Sequence, residues 1–276
     1  MNMISIFEKW DGILFSVYNF FVWIVYIIKF PSIKMIRKNK ALRNLHKGER
    51  CYIVLNGPSI NQYDLSFLKN EIVFATNFFF RAPICEVVDP NYYCWLDSKR
   101  LAEPGVTDLV RDIKKSCPNA ELLLNYKAFP FLGEKDGIYY AFAKHISNYY
   151  STKIDISGLC SNYFTVAFFA ITSAIYMGFK EIYVLGLDFE PVGFTHFTHL
   201  GKDSVNSMPG QKTAKNEVAG DYWQYAMAQY QSYALNDIAK KNGCNIYNLN
   251  ANSYIRAFNF IDSEGVCPKK NEIIQE

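Results

Sequence analysis

The chain has 276 residues, of which 50% are hydrophobic and 17% aromatic. That is enough apolar material for one large core or two small ones, and it excludes disorder along most of the length. A net charge of +3 at pH 7, with no long basic block, argues against nucleic acid as a partner. The seven cysteines, Cys51, Cys85, Cys94, Cys117, Cys160, Cys244 and Cys267, are scattered without a CxxC pair. They read as reduced core residues in a reducing compartment, and no zinc-type ligand spacing is present.

The amino terminus has its own character. Gly12 to Ile28 carries no charge over 17 residues, and Lys29, Lys34, Arg37, Lys38 and Lys40 follow it. Seventeen residues is the lower limit for spanning a bilayer, and the Phe, Tyr and Trp content favours a membrane interface. Three placements are open: an anchor that spans or lies in the interface, a helix docked on the domain or on a partner, and a buried core helix. The positive flank on the carboxyl side would leave the globular part in the cytoplasm. Anionic headgroups would attract the same flank, so residues 12–40 are expected to meet a membrane surface. The chain divides as 1–40, this helix and its basic flank; 41–262, a globular domain; and 263–276, a polar tail.

Beyond Gly48 the pattern becomes a series of short apolar runs. Strands are expected at Cys51–Leu55, Glu71–Thr76, Tyr92–Leu96, Ala120–Leu124, Glu181–Leu187 and Asn245–Leu249. Each runs into a short polar residue: Asn56, Asn77, Asp97, Asn125, Asp188 and Asn250 in turn. In a parallel sheet these ends would share one rim, where open α/β sheets bind ligands. Asn and Asp also start turns and cap helices for purely structural reasons. The first run enters Asn56-Gly57-Pro58-Ser59, a tight turn in which Gly57 permits close approach and Pro58 stiffens the chain. Helices are expected over Ser161–Met177, ending at Gly178, and over Trp223–Lys241, ending at Asn242-Gly243. Alternating strands and helices imply an α/β, Rossmann-like, mostly parallel sheet with flanking helices.

Between Asp188 and Trp223 the periodicity stops. A loop of roughly 30 residues is unusual in a compact domain and is often a functional lid, here placed at about 190–222. It contains His196 and His199, two of the four histidines, within Phe194-Thr195-His196-Phe197-Thr198-His199. A histidine on a closing segment suits general-base work. A surface loop with two incidental histidines is the plainer alternative.

The strand ending in Asn56-Gly57-Pro58-Ser59, the next ending in Asn77-Phe78-Phe79-Phe80, and the helix–strand passage Gly178-Phe179-Lys180-Glu181-Ile182-Tyr183-Val184-Leu185-Gly186-Leu187-Asp188-Phe189 together resemble small bacterial sialyltransferases of the lipooligosaccharide type. They also resemble related domains in flagellin-glycosylation factors and pterin pyrophosphokinase-like proteins. The resemblance covers roughly 48–260. It implies one Rossmann-like domain, a variant of the GT-A glycosyltransferase fold, that binds a CMP-activated sugar beneath a lid and needs no metal or other cofactor. Carried over, it puts Asn56, Gly57 and Ser59 near the nucleotide phosphate and ribose. Asn77 would contact the nucleotide, Asp97 would follow the third strand, Asn162 to Thr165 would meet the donor sugar or base, and Asp188 would lie on the nucleotide side of the rim. His196 stands where the family has a phosphate-binding Tyr.

The chain departs from that pattern in three places. Tyr163-Phe164-Thr165-Val166 replaces the family's Thr-Ser-Gly, and Asn162 stands near the position of its Arg. The family's general-base His is absent from Gly220-Asp221-Tyr222-Trp223-Gln224-Tyr225. The base is then His196, His199 or Asp221, or the reaction differs. Two function classes follow. One is an inverting, metal-independent glycosyltransferase acting on a bacterial surface glycan or glycolipid precursor. The other is a nucleotide-binding phosphotransferase or a non-catalytic polysaccharide-assembly factor. A homo-oligomer is compatible with either.

Overall fold

The computed structural model describes residues 3–29, 33–143, 152–189, 215–261 and 266–267. Nine strands among them form one sheet: β1 Arg50–Val54, β2 Val73–Thr76, β3 Tyr92–Trp95, β4 Glu121–Asn125, β5 Ile138–Ala143, β6 Leu159–Cys160, β7 Glu181–Leu185, β8 Asn245–Asn248 and β9 Asn259–Phe260. The spatial order is β6-β5-β4-β3-β2-β1-β7-β8-β9, and every neighbouring pair is parallel. The six strands expected from sequence are present within one or two residues at each end. The other three were not expected from sequence. β5 is not followed by Asn or Asp, and β6 and β9 are two-residue strands.

The helices are α1 Met3–Lys29, α2 Ile33–Arg37, α3 Ile84–Val88, α4 Ser98–Leu101, α5 Val106–Ser116, α6 Phe129–Leu132, α7 Val166–Met177 and α8 Lys215–Lys241. Successive side chains of a strand face opposite ways, and β1 shows the result. Tyr52 and Val54 join the core layer of α3, α5 and α6, while Cys51 and Ile53 join the layer of α7 and α8. With both faces covered, the central strands read as unbroken apolar runs. α7 is apolar all round, and eleven of its residues are buried. Gly178 ends it at φ 89°, where an αL residue is needed.

The core starts ahead of β1. Met35, Ile36 and Leu42 are buried. Asn39 donates to the carbonyls of Tyr140 (2.9 Å) and Ile156 (2.8 Å), pinning the segment after α2 to β5. α1 is a continuous helix through residues 12–28, and no helix among the described residues is long and apolar enough to cross a membrane. α1 is not a core helix, since Trp10, Leu14, Phe21 and Ile28 are exposed. All seven cysteines are buried and unpaired. α8 begins eight residues earlier than the 223–241 expected, so the end of the anticipated lid, 215–222, is helical. Residues 190–214 lie outside the described residues.

The chain order carries one consequence for function. From β1 the chain steps strand by strand to β6, and α7 then returns it across the sheet to β7, on the other side of β1. The direction of winding reverses between β1 and β7. Here the carboxyl ends of two neighbouring strands leave in opposite directions, and the crevice that opens between them is the usual ligand site of such sheets.

The two chains meet tightly at that point. The Leu55 N–H donates to Leu185 O (2.9 Å) and the Gly57 N–H to Gly186 O (3.1 Å), extending the ladder past both strands. A Cβ on Gly57 would overlap the Gly186 carbonyl oxygen and stand 2.7 Å from Asp188 Cγ. Gly186 has φ 73°, and a Cβ there would press on Leu55 backbone at 3.0 Å. Gly57 thus serves a backbone-to-backbone approach, where the sequence suggested approach to a ligand. Gly57→Ala is expected to destabilise the fold by about 1–3 kcal/mol through overpacking, read as a lower denaturation midpoint in urea.

Candidate functional site

Asn56, Gly57, Asn77, Thr165 and Asp188 line one cavity of about 170 Å³ at the β1–β7 reversal. Five expected site residues, from four separate parts of the chain, therefore converge on one crevice. Ser59 lies behind it. Its backbone N–H donates to Asp188 Oδ2 at 2.8 Å, and its hydroxyl donates to Asp188 Oδ1. Asn250 Nδ2 also donates to Oδ1, at 2.8 Å. A buried carboxylate requires such partners, and Asp188 has three. It braces the turn after β1 against the loops after β7 and β8.

Asn56 is buried and donates through Nδ2 to Thr76 O at 3.1 Å. Among the described residues its Oδ1 has no hydrogen-bond partner, and neither has the hydroxyl of Thr76. Both residues line the cavity. Buried polar atoms are nearly always satisfied, so this pair marks the cavity wall as ready to bind polar groups. Two residues on the same wall have left-handed backbones, Asn77 at φ 49° and Phe189 at φ 51°. Asn tolerates that region; Phe is a genuine outlier there. Strain of this kind gathers at ligand sites. The Phe189 ring stacks on Tyr225 of α8, with centroids 5.2 Å apart.

The amino end of α7 completes the cavity through Thr165 and Val166. Thr165 is the N-cap, and its hydroxyl accepts from the Ala167 N–H at 3.3 Å. The helix expected from residue 161 starts at Val166, because Thr165 is extended at φ −138° and caps it. A helix amino terminus facing a cavity favours an anion through its unpaired N–H groups and dipole.

Asn162 lines a neighbouring cavity of about 340 Å³ with Ser98, Asn125, Tyr126, Lys127 and Tyr163. Asn125 contributes partly as structure. Its Oδ1 accepts from the Lys127 N–H at 3.1 Å and its Nδ2 donates to Leu96 O at 3.2 Å. Asp97 lines neither cavity; it is half-exposed, 3.7 Å from Arg100 Nε. Asp221 falls in α8, and its side chain lies outside the described residues, as do His196 and His199 entirely.

Gln231 was not singled out by sequence. It is buried in α8, donates through Nε2 to Asn162 O (2.6 Å) and accepts through Oε1 from the Phe164 N–H (3.1 Å). This clamp holds the segment that delivers Thr165 and α7 to the cavity. The Phe164 ring meets Trp223 edge-on, with centroids 5.7 Å apart, so α8 grips both cavity flanks. A buried Gln in a mostly apolar stripe is the only signal in the sequence, and it names no partner. Gln231→Leu leaves two backbone groups unpaired. It is expected to cost about 2 kcal/mol or more in urea unfolding, since each buried unsatisfied group costs roughly 1–3 kcal/mol. Gln231→Glu should recover part of the loss.

No protein-family model matches the chain, and no curated protein does. Among solved structures, the chain is similar to the sialyltransferase CstII from Campylobacter jejuni in complex with the substrate analogue cytidine-5′-monophosphate, at 18% identity and a TM-score of 0.48, over 82% of this chain and 91% of that one. It is similar to the same enzyme in complex with CMP-3FNeuAc, again at 18% identity and TM-score 0.48, over 81% and 92%.

Proposed function

We propose that this protein is a sialyltransferase-like glycosyltransferase that moves a sugar from a CMP-activated donor to a bacterial surface glycan or its lipid-linked precursor, at the cytoplasmic face of the inner membrane. The observation that carries this reading is the cavity at the β1–β7 reversal, where the amino end of α7 meets the Asn56-Gly57-Pro58-Ser59 turn. The donor's single phosphate sits against α7, and Asn56, Thr76 and Asn77 take polar groups of the nucleotide.

Transfer breaks the anomeric carbon–phosphate oxygen bond through an oxocarbenium-like state, forms the new glycosidic bond from the opposite face and releases CMP. Two charges need handling. The helix amino end and neighbouring neutral donors stabilise the departing phosphate, so the scheme calls for no metal. A base within hydrogen-bonding reach takes the proton of the acceptor hydroxyl. In this reading the base is His196 or His199, on the segment between β7 and α8, or Asp221 at the start of α8.

Thermal unfolding with CMP, CMP-sugars, UDP-sugars and ATP, each with and without magnesium, tests the donor. A CMP ligand at 100 times its Kd adds about 2.7 kcal/mol, a rise in Tm of roughly 5–10 °C, and it should do so without magnesium. Stabilisation by magnesium–ATP alone would sink the proposal and favour a phosphotransferase, which holds its metal through carboxylates.

Alanine at His196 and at His199 tests the base. One of the two variants should lose transfer by at least 100-fold, within the usual range for a general base, with CMP-induced stabilisation retained. Full transfer by both would move the base to Asp221.

A further inference from the structure

We infer that α1 lies flat in a membrane interface and that the cavity beneath it takes the phosphate of an anionic phospholipid. The inference rests on α1 and the sheet edge at β6 alone, so it stands or falls apart from the donor assignment.

α1 presents two unlike faces. Trp10, Leu14, Val17, Phe21, Val25 and Ile28 recur at steps of three and four, which puts them on one side of a helix. All six are exposed, Ile28 at 76% and Leu14 at 62%. The opposite side is docked: Asn19 is buried and donates to Phe15 O at 2.6 Å, and Val22 and Trp23 pack on the core. A helix of 27 residues is about 40 Å long. An apolar stripe along most of that length is far more than the scattered exposed residues of an ordinary surface.

The neighbouring charges identify the occupant. Lys34, Arg37, Lys40 and Arg43 are exposed just beyond α1. A second copy docked in parallel on the same stripe would bring two such cationic segments together, and one docked antiparallel would leave both without a counter-charge. A bilayer with anionic headgroups satisfies both features, apolar stripe and positive flank.

The cavity sharpens the chemistry. It holds about 500 Å³ between α1, α2 and the turn before β6. Phe20 and Trp23 form an apolar wall, and Arg37 and Lys153 supply two cations; the Ser16 and Ser157 hydroxyls on the same lining donate to Gly12 O and Asp155 Oδ1. Neither Arg37 nor Lys153 is in an ion pair among the described residues. Two cations beside an apolar wall at the edge of an interfacial helix fit a phosphodiester whose acyl chains run back along α1.

Flotation of the full chain with vesicles of phosphatidylcholine, alone or with about a third phosphatidylglycerol, is the test. The wild type should float with the anionic vesicles and lose most of that binding at high salt. Leu14→Asp with Phe21→Asp should abolish flotation while leaving thermal unfolding unchanged; Val17→Ser with Val25→Ser is the milder second variant. Arg37→Gln with Lys153→Gln should weaken anionic binding about 25-fold, roughly fivefold per cation, and leave neutral-vesicle binding unaltered. Soluble glycerol phosphate should not release the bound protein. Wild-type flotation by both stripe variants, or unaltered anionic binding by the Arg37–Lys153 variant, overturns the inference. So does release by glycerol phosphate, which would make the cavity a site for a free phosphate ester. So does a dimer that the stripe variant dissolves in a protein that binds no vesicles.

Discussion

The close passage of two backbones beyond the ends of β1 and β7 governs the molecule. The ladder continues there through Leu55 and Gly57, and a side chain at Gly57 or Gly186 would meet main-chain atoms. Asp188 then binds this junction from behind through both donors of Ser59 and through Asn250. The loop after β8 adds its own ties: Asn248 and Ser253 side chains donate to Leu187 O, and the Tyr254 N–H donates to Asp188 O at 2.9 Å. Packing density at this junction sets where the crevice opens and how wide it is. The polar groups lining it are therefore spaced by the backbone and depend little on the flexibility of their own side chains.

Rigidity at the junction contrasts with how the flanks are held. Phe164, next to the cavity-lining Thr165, and Phe189, which lines the cavity, contact the early part of α8 through Trp223 and Tyr225. Gln231 holds the turn before α7 from the same helix. α8 follows directly after the segment that carries His196 and His199 in sequence. These ties run through two aromatic contacts and one buried amide, and none of them involves the Asp188 brace.

The strand-end pattern was legible because it follows from local chemistry. Apolar runs of four to six residues form strands when both sheet faces are covered, and short polar residues follow because the chain must turn there. That placed Asn56, Asn77, Asp97, Asn125, Asp188 and Asn250 on one rim correctly. It did not separate their duties. Asp188 and Asn250 brace loops, Asn125 caps a turn, and Asp97 sits beside Arg100 away from both cavities. Those differences depend on partners that are distant in sequence: Ser59 and Asp188 are 129 positions apart, Gln231 and Asn162 are 69. The amino-terminal segment was readable as an apolar helix with a basic flank, but which of its sides packs inward is decided by the edge at β6 and the residues after α2.

By itself, then, the sequence determined an α/β chain with a parallel sheet, a polar rim and a separate apolar helix, since hydrophobic period and turn chemistry are local properties. Tertiary structure alone decided that the chain reverses between β1 and β7, because strand order depends on how α7 crosses the sheet, and no residue near β1 encodes that. It also decided that Gly57 is needed for Gly186, that Phe189 is held in a left-handed backbone, and that α1 keeps its apolar stripe outward. In each case the deciding contact lies with a segment that only folding brings near.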